Sequence, residues 1–347
     1  MSSADLPYAH GGPAGSGLLK QTPEDFAVEE ILGFAPSGEG EHVFLDLEKT
    51  GANTDEVAAR IAEFAGVSRM SVSYAGLKDR QARTRQWFSV HLPGKQGPDW
   101  QALNGSELRV LEACRHNRKL KKGTLKGNRF HLRIRRLKAD RAPLEQRLQQ
   151  IARDGAPNYF GPQRFGRGGQ NIDKAKALFD GSLTTRNRHL RGIYLSAARS
   201  HIFNLILAER VRRQNWNRAL EGDAFTFPDS HSFFCDALTP ELLERVASFQ
   251  IHPSGPLWGK GELPTRSEAR ELEAAVAEQE AELCRGLERN NVEMARRALR
   301  INPGEFVWEW DGSDEGGEQL LVSFTLPAGA YATTVLREAL VFDAAFD

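Results

Sequence analysis

The chain of 347 residues has little cysteine, little methionine and no long apolar run. Its three cysteines, Cys114, Cys235 and Cys284, lie far apart, with no Cys-x-x-Cys pair and no Cys/His pair at metal-ligand spacing. This argues against a disulfide framework and a zinc site. No run approaches the ~18 apolar residues of a membrane span, and the N-terminal segment lacks a basic stretch followed by an apolar one. We therefore expect a soluble, cytoplasmic protein with no metal and no membrane partner.

The formal net charge at pH 7 is zero, because Lys and Arg together number 46 and so do Asp and Glu. A zero balance argues against a protein that coats nucleic acids without specificity. The charges are nevertheless segregated. Residues 115–138 contain eleven Lys or Arg and no acid, whereas residues 304–319 contain six acids and no Lys or Arg. The basic run indicates a local contact with a polyanion, and the alternative is a solvated face or a disordered arm.

The length predicts two domains, and the periodicity predicts where they lie. Residues 1–17 are rich in Gly, Pro and Ser and indicate a loose lead-in. Strand-like alternation follows at 26–31, 42–49, 85–92 and 129–137 and returns at 304–311 and 318–327. Helical patterns lie at 53–66, where Val57, Ile61 and Phe64 share one face and Gly66 ends the pattern, and at 194–214 and 267–290. We therefore predict an α+β protein in which residues 1–152 and 304–347 form one domain and residues 153–303 form a mostly helical inserted domain.

The stretch AGLKDR, residues 75–80, places one carboxylate among cations. Asp79 lies between Lys78 and Arg80, and Arg83 and Arg85 follow. Neighbouring positive charges favour the ionised carboxylate, which makes Asp79 a poor general acid. It could be a nucleophile or a base, and the same cations would attract a phosphate-bearing substrate. The alternative is a purely structural salt bridge.

Two further stretches indicate RNA binding. In KGNRFHLRIRR, residues 126–136, glycine permits close approach of the backbone, Asn128 offers a donor and an acceptor, and Phe130 stands among arginines. Phe130, Leu132 and Ile134 alternate with His131, Arg133 and Arg135, which predicts an apolar ladder backed by a cationic one. Phe26 opens a strand just after an acidic turn. A surface hairpin and ordinary core packing are the alternatives.

Several motifs in a fixed order resemble one known family. They are KQTPEDFAVEE, AGLKDRQARTRQWFSV, GNRFHLRIR, PNYFGPQRFG, YLSAARSHIFN and LPAGAYATTVLRE. Together they resemble the TruD family of tRNA pseudouridine synthases, from about residue 18 to about residue 340. The resemblance implies a pseudouridine-synthase catalytic domain, with a mixed and mostly antiparallel sheet and helices. It also implies an inserted, largely helical TRUD domain and an RNA-binding cleft between the two.

The resemblance also implies roles for individual residues. Asp79 falls on the catalytic aspartate of the GLKDR motif, and Lys20 is a candidate for the cation that pairs with it. Candidates for lining the uracil pocket are Phe26, Asn128, Phe130 and Tyr331. The chain departs from the family pattern at Ala330, where the family has a serine, so a hydroxyl beside the pocket is missing.

The implied activity is the isomerisation of uridine 13 in the D arm of tRNA to pseudouridine, by an aspartate carboxylate acting on a flipped base. The implied partner is tRNA, with no cofactor, no metal and no obligate protein partner. One alternative is a non-catalytic module that binds or remodels RNA and uses Asp79 as a salt-bridge partner. Another is a nucleoside glycosidase that attacks the same sugar carbon and releases the free base.

Overall fold

The computed structural model describes residues 6–228, 230, 232–312 and 317–343. The strands are β1 (Gly15–Leu19), β2 (Phe26–Ile31), β3 (His42–Thr50), β4 (Val72–Tyr74), β5 (Arg83–His91), β6 (Leu108–His116), β7 (Gly127–Ala139), β8 (Ala156–Pro157), β9 (Ala224–Thr226), β10 (Phe233–Cys235), β11 (His252–Leu257), β12 (Ala295–Ala298), β13 (Arg300–Ile301), β14 (Gly304–Asp311), β15 (Gln319–Pro327) and β16 (Val341–Asp343). The helices are α1 (Thr54–Phe64), α2 (Arg141–Asp154), α3 (Gln170–Asp180), α4 (Arg188–Arg212), α5 (Pro240–Ala247), α6 (Ser267–Gln279), α7 (Ala281–Arg289) and α8 (Ala332–Leu336).

The chain divides into two compact units that interleave along the sequence. Among the described residues, unit 1 holds residues 6–14, Arg141–Pro303 and Ala330–Leu340, and unit 2 holds Gly15–Asp140, Gly304–Gly329 and residues 341–343. The predicted split, residues 1–152 plus 304–347 against 153–303, differs because residues 6–14 and 330–340 bond to the middle of the chain and to each other. The Tyr159 hydroxyl donates to the carbonyl of Pro7 at 3.4 Å, and Arg164 donates to the Tyr331 hydroxyl at 3.0 Å. The amide of Ala14 donates to the carbonyl of Ala339 at 2.8 Å. As a division into catalytic and inserted domains, the predicted split stays a prediction.

Unit 2 is built on one large sheet with the strand order β14-β15-β7-β2-β5-β3-β6. β1 pairs with β7 and β16, and β4 pairs with β5. Within the described residues only the β2–β5 and β1–β16 pairs are parallel, so the sheet is mixed and mostly antiparallel. With the helices of unit 1 this confirms the predicted α+β class.

The register of the central strands places the candidate residues on one side of that sheet. Phe26 lies opposite Leu132, Val28 opposite Phe130, and Glu30 opposite Asn128. Val28 also lies opposite Thr84, which lies opposite Lys49 on β3. Directly opposed residues share a face. We call the face that bears Phe26, Glu30, Lys49, Thr84, Asn128 and Phe130 the front face.

Helix α1 covers part of the front face. Its N-terminus has a capping box, in which the backbone amide of Asn53 donates to the carboxylate of Glu56 at 3.3 Å. Val57 and Ile61 are fully buried against Leu45 and Leu47 of β3. This confirms the helix predicted from the spacing of these apolar residues.

In unit 1, helices α3, α4, α6 and α7 enclose a core, and a smaller sheet has the order β10-β9-β11-β12. The middle of the chain is therefore less purely helical than predicted. The single helix predicted over 267–290 is wrong, because the chain breaks at Glu280, with φ −112° and ψ 30°, between α6 and α7. Helix α7 packs closely on α3, since a Cβ at Gly286 would lie 2.1 Å from a ring carbon of Phe179.

The N-terminal lead-in is also more ordered than predicted. Gly15–Leu19 forms β1, and a Cβ at Gly15 would lie 2.4 Å from the Cβ of Ala139. Glycine there serves close strand contact, not looseness. Residues 1–5 lie outside the described part of the chain. Within that part, no helix is both long and apolar enough to cross a membrane.

Candidate active site

Asp79 lies in the loop between β4 and β5, and its carboxylate is held from two sides. The ammonium of Lys20, just after β1, donates to Oδ2 in an ion pair. The backbone amide of Gln81 donates to Oδ1 at 3.0 Å. The Asp79 side chain is still 43% exposed, so a substrate can reach it.

These contacts decide the charge of Asp79. Partial burial by itself raises the pKa of this carboxyl group. The hydrogen bond and positive charge of Lys20, the amide of Gln81 and the charge of Lys49 outweigh that effect and bring the pKa below its usual range. At neutral pH Asp79 is therefore a carboxylate, suited to act as a nucleophile or a base.

An aromatic cluster on the front face adjoins the ion pair. The ammonium of Lys20 lies 4.1 Å from the ring centroid of Phe26. Phe26 meets Phe130 edge to face at 6.2 Å, and Phe130 stacks on Phe324 at 5.5 Å. Lys20 thus contacts both the Asp79 carboxylate and the Phe26 ring. An aromatic ring in this position offers a surface on which a nucleobase can pack.

In the described part of the chain, none of the four cations that adjoin Asp79 in sequence forms an ion pair with it, so the prediction that they surround the carboxylate is wrong. Lys78 forms an ion pair with Glu30 at 2.7 Å, Arg85 pairs with Asp46, and Arg80 donates to the carbonyl of Gly51 at 3.1 Å. Arg83 makes no ion pair with any described residue. These side chains leave the loop in different directions, so adjacency in sequence did not become contact.

The loop is fastened to the front face by polar residues that the sequence patterns did not single out. The amide of Lys78 donates to Thr54 Oγ1 at 3.0 Å, and Gln86 Nε2 donates to the carbonyl of Gly76 at 2.7 Å. The buried ammonium of Lys49 donates to the carbonyl of Asp79 at 3.3 Å. The sequence contains a signal that could have identified two such residues. Glu30 and Lys49 each stand at a position where the alternation of their strand predicts an apolar residue.

The other two candidate residues, Asn128 and Tyr331, belong to different units of the chain. Asn128 lies opposite Glu30 on the front face, and its buried Oδ1 has no hydrogen-bond partner among the described residues. Tyr331 belongs to unit 1, where its hydroxyl accepts hydrogen bonds from Arg164 at 3.0 and 3.2 Å. Its ring meets that of Phe160 edge to face. The roles of Asn128 and Tyr331 in a uracil pocket stay predictions.

No group of three or more His, Cys, Asp or Glu side chains in the described ranges is arranged to hold a metal ion. The three cysteines are all free thiols.

Comparisons with known proteins show the family to which the chain is related. The sequence profile of the family described as tRNA pseudouridine synthase D (TruD) matches residues 6–178 and 169–339. A tRNA pseudouridine synthase D of Methylococcus capsulatus is 51% identical over 340 residues, which is 98% of this chain and 95% of that protein. One of Pseudomonas aeruginosa is 48% identical over 334 residues, covering 96% of this chain and 93% of that protein.

The fold of the chain matches that of a solved structure. The crystal structure of the putative tRNA pseudouridine synthase D (TruD) of Methanosarcina mazei matches with a TM-score of 0.75 and 22% identity, over 98% of this chain and 97% of that one. The mixed, mostly antiparallel sheet with accompanying helices is therefore the fold of a pseudouridine synthase, as predicted. The chain belongs to the TruD family of tRNA pseudouridine synthases.

Proposed function

We propose that this chain isomerises uridine 13 in the D arm of tRNA to pseudouridine and that the carboxylate of Asp79 is the catalytic group. The observation that carries the proposal is the state of that carboxylate. It is ionised, partly exposed and paired with Lys20 beside the ring of Phe26. Family membership supports the reaction and the substrate class, since relatives at 51% and 48% identity are named tRNA pseudouridine synthase D.

The reaction rearranges bonds within one nucleotide. The bond between ribose C1′ and uracil N1 breaks, the base rotates, and C5 joins C1′. C5 then loses its proton to solvent and N1 gains one, so the product is an isomer and no electron acceptor is needed. Asp79 acts on the sugar, either by attacking C1′ or by accepting a proton from ribose, and both roles need the ionised form.

The detached base has to stay in the site between the two bond changes. Phe26 and Phe130 offer an apolar wall for the uracil ring. The buried Oδ1 of Asn128 has no partner in the described part of the protein, so it is available to accept the hydrogen bond of uracil N3–H. An unpaired acceptor in that place favours a ligand that brings a donor.

The target uridine lies within folded RNA. Turning it into the site costs a few kcal/mol, because the base must be unstacked and unpaired. Contacts between Lys or Arg and phosphate offset that cost. Exposed lysines of the 115–138 run, such as Lys119, Lys121 and Lys122, are candidates for these contacts.

The experiment is tritium release from a tRNA transcript that carries uridine tritiated at C5. We expect wild type to release tritium from a single site, and a transcript with cytidine at position 13 to release none. Asp79→Ala and the isosteric Asp79→Asn should release none, while both still bind the transcript with an affinity near that of wild type.

Each alternative has a distinct result. Release of free uracil would identify a glycosidase instead. Binding of tRNA without tritium release by the wild-type protein would favour the RNA-binding module and overturn the proposal. Release from a position other than 13 would overturn the site within tRNA but leave the isomerisation standing.

A further inference from the structure

Lys49 is a buried cation that the reaction above does not use. It is the next-to-last residue of β3 and lies in phase with the core residues Leu45 and Leu47. Its exposed fraction is 1%. An ammonium group taken out of water is strongly disfavoured unless hydrogen bonds and opposite charge replace its hydration. A leucine would satisfy the pattern of the strand, so the lysine needs its own explanation.

Its hydrogen bonds point to the loop of Asp79. The Lys49 ammonium donates to the carbonyl of Ala52 at 2.8 Å and to the carbonyl of Asp79 at 3.3 Å. In the described part of the chain it forms no ion pair with a carboxylate. The cation is therefore bound to main-chain oxygens, and one of them belongs to the proposed catalytic residue itself.

The charged groups around Lys49 come from the loop and from β2. Burial, together with the positive charge of Lys78, lowers the pKa of Lys49 to about 8 against the opposing effects of Asp79 and Glu30. Its cross-strand neighbours, Thr84 on β5 and Leu108 on β6, are uncharged. In return, the charge of Lys49 helps to lower the pKa of Asp79.

We propose that Lys49 is a positioning residue for Asp79: its ammonium holds the Asp79 peptide by the carbonyl and so sets where the carboxylate meets Lys20 and the substrate. The inference rests on the catalytic role proposed for Asp79. It adds that the loop is held correctly only while Lys49 is protonated. The neutral amine is a weaker donor and has no charge to favour the Asp79 carboxylate.

Stability and activity should then respond to pH in opposite directions. Because the pKa of Lys49 is lower in the folded protein than in the unfolded chain, the unfolded chain binds more protons between about pH 8 and the ordinary lysine pKa. This group therefore makes the fold more stable as pH rises through that window. Activity should fall in the same window, because Asp79 loses its positioning.

The test compares kcat and KM of wild type, Lys49→Met, Lys49→Arg and the exposed control Lys95→Met, from about pH 6 to about pH 10. We expect Lys49→Met to lose about a hundredfold in kcat below about pH 8, with KM little changed, as when a reacting group is slightly misplaced. Above that pH the difference from wild type should shrink, because wild type then loses the charge of Lys49 as well. Its melting temperature should not fall, since an apolar side chain of similar length replaces a buried charge. Lys95→Met should match wild type.

Lys49→Arg is the rescue variant, because arginine stays protonated throughout this range. We expect it to regain part of the lost kcat and to lack the fall in activity near pH 8. If the fall in kcat above about pH 8 persists unchanged in Lys49→Arg, a group other than Lys49 causes it. That result would overturn the pH dependence proposed for Lys49. Full activity of Lys49→Met would overturn the positioning role.

A second measurement reads position without catalysis. The amides of Lys78 and Gln81 bond to Thr54 and to the Asp79 carboxylate, so hydrogen exchange at both should be faster in Lys49→Met than in wild type. Unchanged exchange would also count against the proposal. Failure of the proposed function would look different: Asp79→Ala would stay active, which would overturn both inferences at once.

Discussion

Lys20 has more influence on the ionisation of Asp79 than any of the cations that adjoin it in sequence. Its backbone lies in the left-handed region, with φ +64°. That conformation costs a residue with a side chain about 1–2 kcal/mol. Such strain persists where surrounding contacts impose it, and here the contacts are the Asp79 carboxylate and the Phe26 ring.

At this scale we predict that Lys20→Met raises the pKa of Asp79, because burial of the carboxyl group is then opposed only by weaker partners. In the proposed mechanism the ionised form is the active one, so the acidic limb of kcat/KM should move to higher pH. Lys20→Arg keeps the charge and should shift the limb much less. A pH profile between about pH 4 and pH 8 checks this, and an acidic limb that stays in place would contradict it.

At the scale of elements, the helix α6 and strand β12 are joined by a buried ion pair. Arg296 donates to both oxygens of Glu273, at 2.7 and 3.1 Å, and their side chains are 0% and 4% exposed. We predict that Arg296→Met destabilises the protein by about 3–5 kcal/mol, because it leaves a buried carboxylate unpaired. The double variant Arg296→Met with Glu273→Leu should recover most of the loss.

Urea unfolding measures this effect, and an exposed pair gives the control. Arg213, the residue just after α4, pairs with Glu209 of that helix at 2.8 Å, and its side chain is 48% exposed. Arg213→Met should cost less than about 1 kcal/mol. If the two single variants were equally destabilised, or if the double variant were no better than Arg296→Met, the α6–β12 pair would not have the predicted role.

The strand β7 also changes how the basic run should be interpreted. Its cationic side does alternate with a buried apolar side, as predicted. Arg129, however, pairs with Glu305 at 2.7 Å, and Arg133 pairs with Asp311 at 2.9 Å. The acidic run of β14 thus neutralises part of the basic run, because only β15 lies between β14 and β7 in the sheet. Two blocks of opposite charge far apart in sequence are local partners.

At the scale of the whole molecule, RNA affinity should fall with salt, because binding of phosphates by cations releases counterions. Lys119, Lys121 and Lys122 are exposed and form no ion pair with described residues. We predict that changing all three to Gln reduces the slope of log affinity against log salt by about 0.7–0.9 for each phosphate that these lysines neutralise. Filter binding at several salt concentrations measures the slope.

The control for this prediction is Lys95→Gln, which removes an exposed cation outside the basic run. It should leave the slope of wild type unchanged. A triple variant with the wild-type slope would show that these lysines do not meet phosphate. Affinity that does not depend on salt in the wild-type protein would contradict the wider expectation of an RNA-binding surface.

The spacing of apolar residues predicted helices and strands well where it followed a single period along the segment. The α1 helix, the alternation of β7 and the mixed α+β class follow from the spacing of apolar residues, and all three are confirmed. The long helix at 267–290 failed because its apolar spacing continues through Glu280, where the backbone turns. Gly15, the first residue of β1, suggested a loose segment because its close contact with Ala139 comes from a strand more than a hundred residues away.

The sequence by itself determined the family, the class of fold and the identity of Asp79 as the residue on which to focus, since these depend on residue type and order. Only the tertiary structure decided which cation meets that carboxylate. Lys78, Arg80 and Arg85 turn to other partners, while Lys20 reaches Asp79 from the end of β1 and Lys49 reaches it from β3. The physical reason is that hydrogen bonds and charges act through distance in space, and the pairing of strands sets that distance.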